Sequence, residues 1–437
     1  MKLPKTPMRL PTSPVAVMLF ILVILMGLGV PIAFCIGLSS LGGLMFTNFP
    51  LTLIPQRLFT ACDSFVLLAV PLFILAGVIM ASGGMSVRLI RFIDSLIGRV
   101  RGGLGFVSIA ACGFFAAISG SGAATVAAVG SAMYPEMVKR EYDNKFVAAT
   151  IACGGTVGVV IPPSIPLIVY GVLTNTSIAA LFFGGIIPGI IACLNLMVCC
   201  HLISGRRGYQ FKSVHPSGHV WKSFKGGFLA LLMPLIILGG IYGGIFTPTE
   251  SAAVAVVYAL IVCVLVYREM KFRELFNALS RAAVTSSMIM MLIATASLFS
   301  WLLTIENVPQ IIAKTMLDLC PNKFVFLIIV TVIFLFLGMF LDTCVTILLL
   351  VPIFFPVAMA MGIDPVHFGL ITVFNLSVGQ ETPPFGICLI TAAGVSGLTI
   401  EEIVRNYIPY LLSDLFTLLL IVYIPQLTLL LPGLLIE

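Results

Sequence analysis

GFFAAISGSGAATVAAVGSAMYP (residues 113–135) and FLFLGMFLDTCVTILLLVPIFFP (residues 334–356) are two copies of one pattern, displaced by 221 positions. Ser121 falls on Asp342, Thr125 on Thr346 and Pro135 on Pro356. Further on, Gly158 falls on Gly379, and Pro162-Pro163 on Pro383-Pro384. Everything between these landmarks is strongly apolar. Two corresponding hydrophobic segments interrupted by Gly and Pro are the sequence mark of a membrane carrier built from inverted repeats. In that design the two interrupted segments meet near the bilayer midplane and form the binding site.

The composition leads to the same class. Hydrophobic residues make up 60% of the chain and charged residues 9%, with a mean hydropathy of +1.18. A water-soluble domain carries about 25% charged residues, so this chain cannot cover itself with a polar surface. Apolar runs long enough to span a bilayer recur along it, and no long hydrophilic stretch leaves room for a separate soluble domain. Lys2, Lys5 and Arg9 precede the first apolar run, which continues past Pro31 without a small-residue cleavage site. It reads as a retained first helix. The 11 cysteines are scattered without a C-x-x-C pair, as packed small residues would be. His215 and His219 lie four apart in a polar loop with no cysteine or carboxylate beside them, so no zinc site is expected there.

The reading is of an all-α polytopic membrane protein with two re-entrant helical hairpins and two discontinuous helices in inverted repeats. The first repeat covers residues 1–205: short helices at 15–30 and 31–47, an arm at 49–62 and a span at 63–83. An amphipathic interfacial stretch follows at 86–101, carrying Arg88, Arg91, Asp94, Arg99 and Arg101. Next come hairpin 1 at 102–138, a broken helix at 145–172 and a span at 178–204. Residues 206–226 form a basic linker with Arg206, Arg207, Lys212, Lys222 and Lys225. The second repeat, 227–437, has spans at 227–246 and 248–268, an arm at 269–282 and a span at 284–304. It ends with an interfacial stretch at 306–320, hairpin 2 at 324–360, a broken helix at 366–393 and a last helix at 407–431. That scheme has ten spans and two hairpins. It puts most of the 23 Lys and Arg on one side, which the positive-inside rule makes cytoplasmic. Both termini then lie outside, and the hairpins enter from opposite faces.

The hairpin tips carry the chemistry. Ser119-Gly-Ser-Gly-Ala-Ala-Thr125 is rich in hydroxyls and free of bulk. Prolines at 162 and 163 remove two amide donors and so free carbonyls nearby. Hydroxyl and carbonyl oxygens within reach of each other suit a small hard cation such as Na⁺, although Gly/Ala/Ser helix contacts are also common in membranes. Asp342 sits at the tip of an otherwise uncharged hairpin, where a carboxylate costs on the order of 2.5–3.5 kcal/mol unless neutralised. A bound cation or a proton would do this, and a helix N-cap role is compatible with either. Glu381, beside Thr382-Pro383-Pro384, is placed to share that second site or to face substrate. Glu250 and Glu306 read as solvated. No P-loop, H-E-x-x-H or G-x-S-x-G motif is present, so no enzyme activity is expected. Uphill transport would run on an ion gradient or on another subunit.

Four segments carry a family likeness. Ser119-Gly-Ser-Gly-Ala-Ala-Thr-Val-Ala-Ala-Val-Gly-Ser131 and Ile161-Pro-Pro-Ser-Ile-Pro-Leu-Ile-Val-Tyr-Gly171 resemble the large membrane subunit of TRAP (tripartite ATP-independent periplasmic) transporters. Gly244-Ile-Phe-Thr-Pro-Thr-Glu-Ser-Ala-Ala-Val254 and Gly362-Ile-Asp-Pro-Val-His-Phe-Gly369 resemble other segments of the same family. The resemblance implies an elevator mechanism, with a mobile domain carrying substrate and Na⁺ across the bacterial inner membrane. It implies two partners, a small four-helix membrane subunit and a periplasmic substrate-binding protein, with no cofactor beyond the coupling ion and no nucleic acid. The implied cargo is a small organic acid: a C4-dicarboxylate, sialic acid or another sugar acid. The family's first sodium site maps onto Ser119, Ser121, Gly158, Ile161 and Pro163. The repeat then predicts a second at Phe340, Asp342, Gly379, Thr382 and Pro384. Thr156, Asn375, Ser377 and Glu381 are candidate substrate residues. Gln380-Glu381 departs from the family pattern, which is often apolar there. A stand-alone ion-coupled carrier and an ion channel with re-entrant filter loops are the competing readings.

Overall fold

The computed structural model describes residues 13–98, 102–209, 219–320 and 322–435. Lys2, Lys5, Arg9, Arg99, Arg101, Lys212 and His215 lie outside the described residues, as does the side chain of His219. Among the described residues the structure is helical throughout, without a strand. The first copy runs α1 (Pro14–Gly27), α2 (Ile32–Leu44), α3 (Leu53–Cys62), α4 (Ala69–Ser82) and α5 (Met85–Ile97). Then come α6 (Gly103–Ser119), α7 (Gly122–Lys139), α8 (Asn144–Ala152), α9 (Gly154–Val160), α10 (Ile165–Thr174) and α11 (Ile178–Arg206). The second copy opens with α12 (His219–Tyr242), α13 (Pro248–Leu260), α14 (Phe272–Ile305) and α15 (Val308–Leu319). It continues with α16 (Lys323–Gly338), α17 (Thr343–Ala360), α18 (Pro365–Gly379), α19 (Ile387–Ser396), α20 (Ile400–Tyr423) and α21 (Gln426–Leu435).

The 221-residue offset carries α7 onto α17 residue for residue, and α10 onto α19 within one position. The breaks follow local chemistry. Gly120 ends α6 in the left-handed region at φ +58°, where a side chain would be strained. Ser121 and Asp342 are the N-caps of α7 and α17, their side chains accepting from Ala124 N and Cys344 N. Thr247 with Glu250, and Thr399 with Glu402, form capping boxes that start α13 and α20. The packing is exchanged between copies: α10 lies against α17, and α19 against α7. Each half-helix beyond a break therefore meets the second hairpin helix of the other copy. A separate set of contacts joins α14 to α2, α3 and α4, α13 to α4, and α12 to α5.

Three expectations are corrected. The arm at 269–282 is not separate from the span at 284–304, because α14 is one helix of 34 residues. Residues 272–305 contain neither Gly nor Pro, so nothing interrupts the hydrogen-bond ladder. In the first copy Asp63-Ser64 intervenes, and the chain bends by 65° between Leu53–Cys62 and Val66–Ser82. Pro71 sits in the first turn of α4, where a missing N–H is tolerated. The last helix starts earlier than 407, at Ile400, and stops before Pro425, leaving α21 separate. The end of the 206–226 linker belongs to α12. Seven helical stretches among the described residues, one of them the broken run Asn144–Thr174, are long and apolar enough to cross a membrane, or eight counting the bent pair. At 14 and 13 residues, α1 and α2 reach about 20 Å each, short of a hydrocarbon core of about 30 Å.

One polar clamp joins the copies at an end of the packed helices. Arg88 on α5 donates to both Glu269 oxygens, at 2.9 and 2.6 Å, and its guanidinium lies 3.8 Å from the Tyr267 ring centroid. The Arg88 hydrogen bond holds the Glu269 carboxyl below the usual carboxylate range. A depressed value means stability present above the unfolded value, about 4.3, and lost as pH falls through the folded value. Glu269→Gln is therefore expected to melt below wild type at neutral pH, with the gap closing below about pH 4. Both side chains are partly exposed, which limits the effect to about 1 kcal/mol or less.

Candidate functional site

Hairpin 1 presents a cluster of hydroxyls. Ser119 Oγ lies 2.9 Å from Thr125 Oγ1, and Thr125 Oγ1 donates to the Ser121 carbonyl at 2.8 Å. Thr125 belongs to the site although it was not among the assigned cation ligands; its place in the hydroxyl-rich tip and its repeat position had marked it. The break between α9 and α10 docks on this tip, with Ile165 N donating to the Gly120 carbonyl at 3.3 Å. A Cβ on Gly120 would stand 2.9 Å from the Pro163 carbonyl oxygen. One on Gly158 would stand 2.8 Å from Thr125 Oγ1. Both glycines thus permit an approach that no side chain allows, to the Pro163 backbone at Gly120 and to the Thr125 side chain at Gly158. The residue four beyond Gly158 is Pro162, which has no N–H to offer the Gly158 carbonyl. Ile161 is extended at the end of α9, and its side chain turns toward Gly113 and Gly189. Ser119, Ser121, Gly158 and Pro163 are therefore gathered at one place, with the Ile161 backbone beside them. An open cleft of about 170 Å³ touches Ser119 and Ser121 and is flanked by Gly77, Thr285 and Ile289 of α4 and α14.

Hairpin 2 repeats the plan with a charge. Asp342 Oδ1 accepts from Cys344 N at 2.8 Å, and Oδ2 accepts from Gln380 Nε2 at 3.0 Å. Gln380 is the partner that sequence reading did not assign; its signal was a polar pair, Gln380-Glu381, inside an apolar run. The second break docks as the first does, with Gly386 N donating to the Met339 carbonyl at 3.3 Å. Gly379 faces Gly338, whose Cα would be 2.8 Å from an added Cβ. Thr382 Oγ1 turns back to donate to the Val378 carbonyl at 2.8 Å. The Phe340 ring is exposed and stands 5.6 Å from Phe385, centroid to centroid. Among the described residues no Lys or Arg forms an ion pair with Asp342.

Between the two breaks lies a third polar group. Thr156 N donates to Glu381 Oε1, the Thr156 carbonyl accepts from Ser377 Oγ at 2.9 Å, and Thr156 Oγ1 donates to Asp414 Oδ2 at 3.4 Å. Glu381 Oε2 accepts from Tyr407 Oη at 2.8 Å. Glu381 thus turns away from Asp342 and toward the first copy. Of the four candidate substrate residues, Thr156, Ser377 and Glu381 are thus joined by hydrogen bonds. Asn375 does not join them, because its Nδ2 donates to the Thr331 carbonyl of α16 at 3.0 Å. Tyr407 and Asp414 were missed by sequence reading; the available sign was one acid in the otherwise apolar stretch LLSDLFTLLL (411–420).

Residues 19–427 match the family model of the tripartite ATP-independent periplasmic transporter DctM component. The chain belongs to this family. It is similar to the isethionate TRAP transporter permease protein DctMQ of Oleidesulfovibrio alaskensis, 42% identical over 411 residues, which are 93% of this chain and 64% of that protein. It is 40% identical over 399 residues to the C4-dicarboxylate TRAP transporter large permease protein DctM of Pseudomonas aeruginosa, covering 91% and 93% of the two chains. In fold it resembles the crystal structure of the Alcanivorax borkumensis YdaH transporter, with a TM-score of 0.60 at 14% identity over 94% of this chain and 98% of that one. As a TRAP large permease, the protein is a multi-pass transporter subunit of the inner membrane and not an enzyme.

The glycine contact at hairpin 2 can be tested directly. Gly379→Ala places a methyl against the Gly338 backbone, and such overpacking costs about 1–3 kcal/mol. A clear fall in melting temperature of the detergent-purified protein is expected, whereas Gly394→Ala, with open space around it, should melt like wild type.

Proposed function

We propose that this permease imports a small organic acid together with Na⁺, using one cation site at each hairpin tip. The observation that carries the reading is the paired docking of hairpin tips on proline breaks, with Ser121 and Asp342 in the same N-cap position of α7 and α17. Site 1 draws on Ser119, Ser121, Gly158, Ile161 and Pro163. Site 2 draws on Phe340, Asp342, Gly379, Thr382 and Pro384, with Phe340 and Pro384 offering only backbone oxygen. Hydroxyl, carboxylate and carbonyl oxygens are the donor set a hard cation prefers. Thr156 and Ser377, near the ends of the broken helices, are the substrate-facing polar groups. Isethionate and C4-dicarboxylates, for which two relatives are named, are small organic anions.

Residues 1–205 and 219–437, the second opening with α12, are taken as the inverted repeats on either side of the shortened basic linker. The hairpins and broken helices form the mobile unit of an elevator, and the set built from α1–α4 and α12–α14 forms the scaffold. The family implies a small membrane subunit and a periplasmic binding protein. The word "large" in the name of the P. aeruginosa relative, matched over almost its whole length, supports the first of these.

Thermal unfolding in Na⁺ against K⁺ at equal ionic strength tests the cation sites without substrate or partner. One ion bound at about ten times its Kd adds roughly 1.4 kcal/mol. A Na⁺-specific rise in melting temperature is expected, reduced in Asp342→Asn and in Ser121→Ala. Identical melting in the two salts would remove the sodium reading.

A further inference from the structure

Glu381 and Asp414 are the two carboxylates among the described residues with no exposed surface, and they meet the same residue, Thr156, from different elements. Their hydrogen bonding differs. Both oxygens of Glu381 accept from firm donors, Thr156 N and Tyr407 Oη, which suits a carboxylate. Asp414 has one long contact, at 3.4 Å to Thr156 Oγ1, and its Oδ1 is buried without a partner. An unpaired charge in such a place is among the most unfavourable arrangements a protein interior can hold.

The groups that face Asp414 contain nothing to neutralise it. They are Glu381 in the second break, Tyr407 on its own helix α20, Cys153 between α8 and α9, and Cys193 and Cys199 on α11. The four ion pairs among the described residues, Arg88–Glu269, Arg140–Glu136, Lys145–Glu402 and Arg207–Asp143, lie elsewhere. A metal ion is a poor fit, because it needs several converging oxygens and only Asp414 Oδ1 lacks a partner here. A single proton needs one. Once protonated, the carboxyl donates to Thr156 Oγ1 or accepts from it, and the remaining oxygen is an ordinary carbonyl.

We propose that Asp414 is a proton-binding site of this carrier, separate from the hairpin tips, formed by α20 against Thr156 of the first broken helix. The proton is taken from water and returned to it. Its release leaves a charge facing Glu381 across Thr156, the residue that ties the two breaks together, so proton occupancy is linked to how the broken helices pack. The proposal does not depend on sodium.

Infrared spectroscopy of the detergent-purified protein at neutral pH tests it. The expected result is a protonated-carboxyl stretching band in wild type that shifts in D₂O and is absent in Asp414→Asn. If that variant does not fold, wild type grown with carbon-13 aspartate should show the same band displaced. Asp342→Asn should leave the band in place. Absence of the band, its displacement by carbon-13 glutamate instead of aspartate, or its loss in Asp342→Asn would each overturn the assignment. None of these outcomes touches the melting comparison in Na⁺ and K⁺, so the two readings succeed or fail separately.

Discussion

A chain that leaves the helical path inside a packed apolar interior strands amides and carbonyls where no water can reach them, and each must find a partner within the protein. This chain does so at two hairpin tips and two Pro-Pro breaks, and it meets the requirement by docking the irregular pieces on one another. Ile165 N reaches the Gly120 carbonyl and Gly386 N the Met339 carbonyl, both at 3.3 Å, while Cys388 N closes on the Gln380 carbonyl at 3.0 Å. The glycines at 120, 158, 338 and 379 are small because these backbones must touch. Once the breaks are docked, the half-helices α10 and α19 are carried across onto the opposite hairpins, and the exchanged packing of the whole unit follows.

The two copies are alike in backbone and unlike in electrostatics. At the first tip, Ser119, Ser121 and Thr125 form a neutral hydroxyl cluster; at the second, Asp342 brings a formal charge met by Gln380 and backbone amides. The charged copy also carries Glu381, and its last long helix carries Asp414. All the buried anionic character of the centre therefore comes from the second repeat, while the first supplies Thr156, whose amide, carbonyl and hydroxyl each bond to a second-repeat side chain. Duplication followed by such divergence gives a centre with a common frame and separate chemical roles for its halves.

Much of this was legible in the residues. The offset repeat, the apolar composition and the small hydroxyl-rich tips marked a helical membrane carrier, and the hairpin tips at Ser121 and Asp342 lie where the pattern placed them. Local signals read well because they act locally: a glycine at positive φ, a proline without an N–H and a capping carboxylate need only their neighbours. Helix continuity was harder, as α14 shows. The repeat encouraged a break at the counterpart of Asp63-Ser64, yet an uninterrupted run of helix formers simply stays helical.

Long-range polar pairing was not legible. Gln380 and Asp342 are 38 positions apart, Glu381 and Thr156 are 225 apart, and Asp414 and Thr156 are 258 apart. By itself the sequence determined the class of the protein, its duplicated plan and the places where its helices must stop, because those depend on hydrophobicity and on backbone chemistry along the chain. Only the tertiary structure decided that Glu381 turns toward Thr156 instead of Asp342, that Asn375 faces α16, and that Asp414 enters the centre at all. Side-chain direction in a packed interior is set by which surfaces meet across the copies, and no spacing within one helix encodes that.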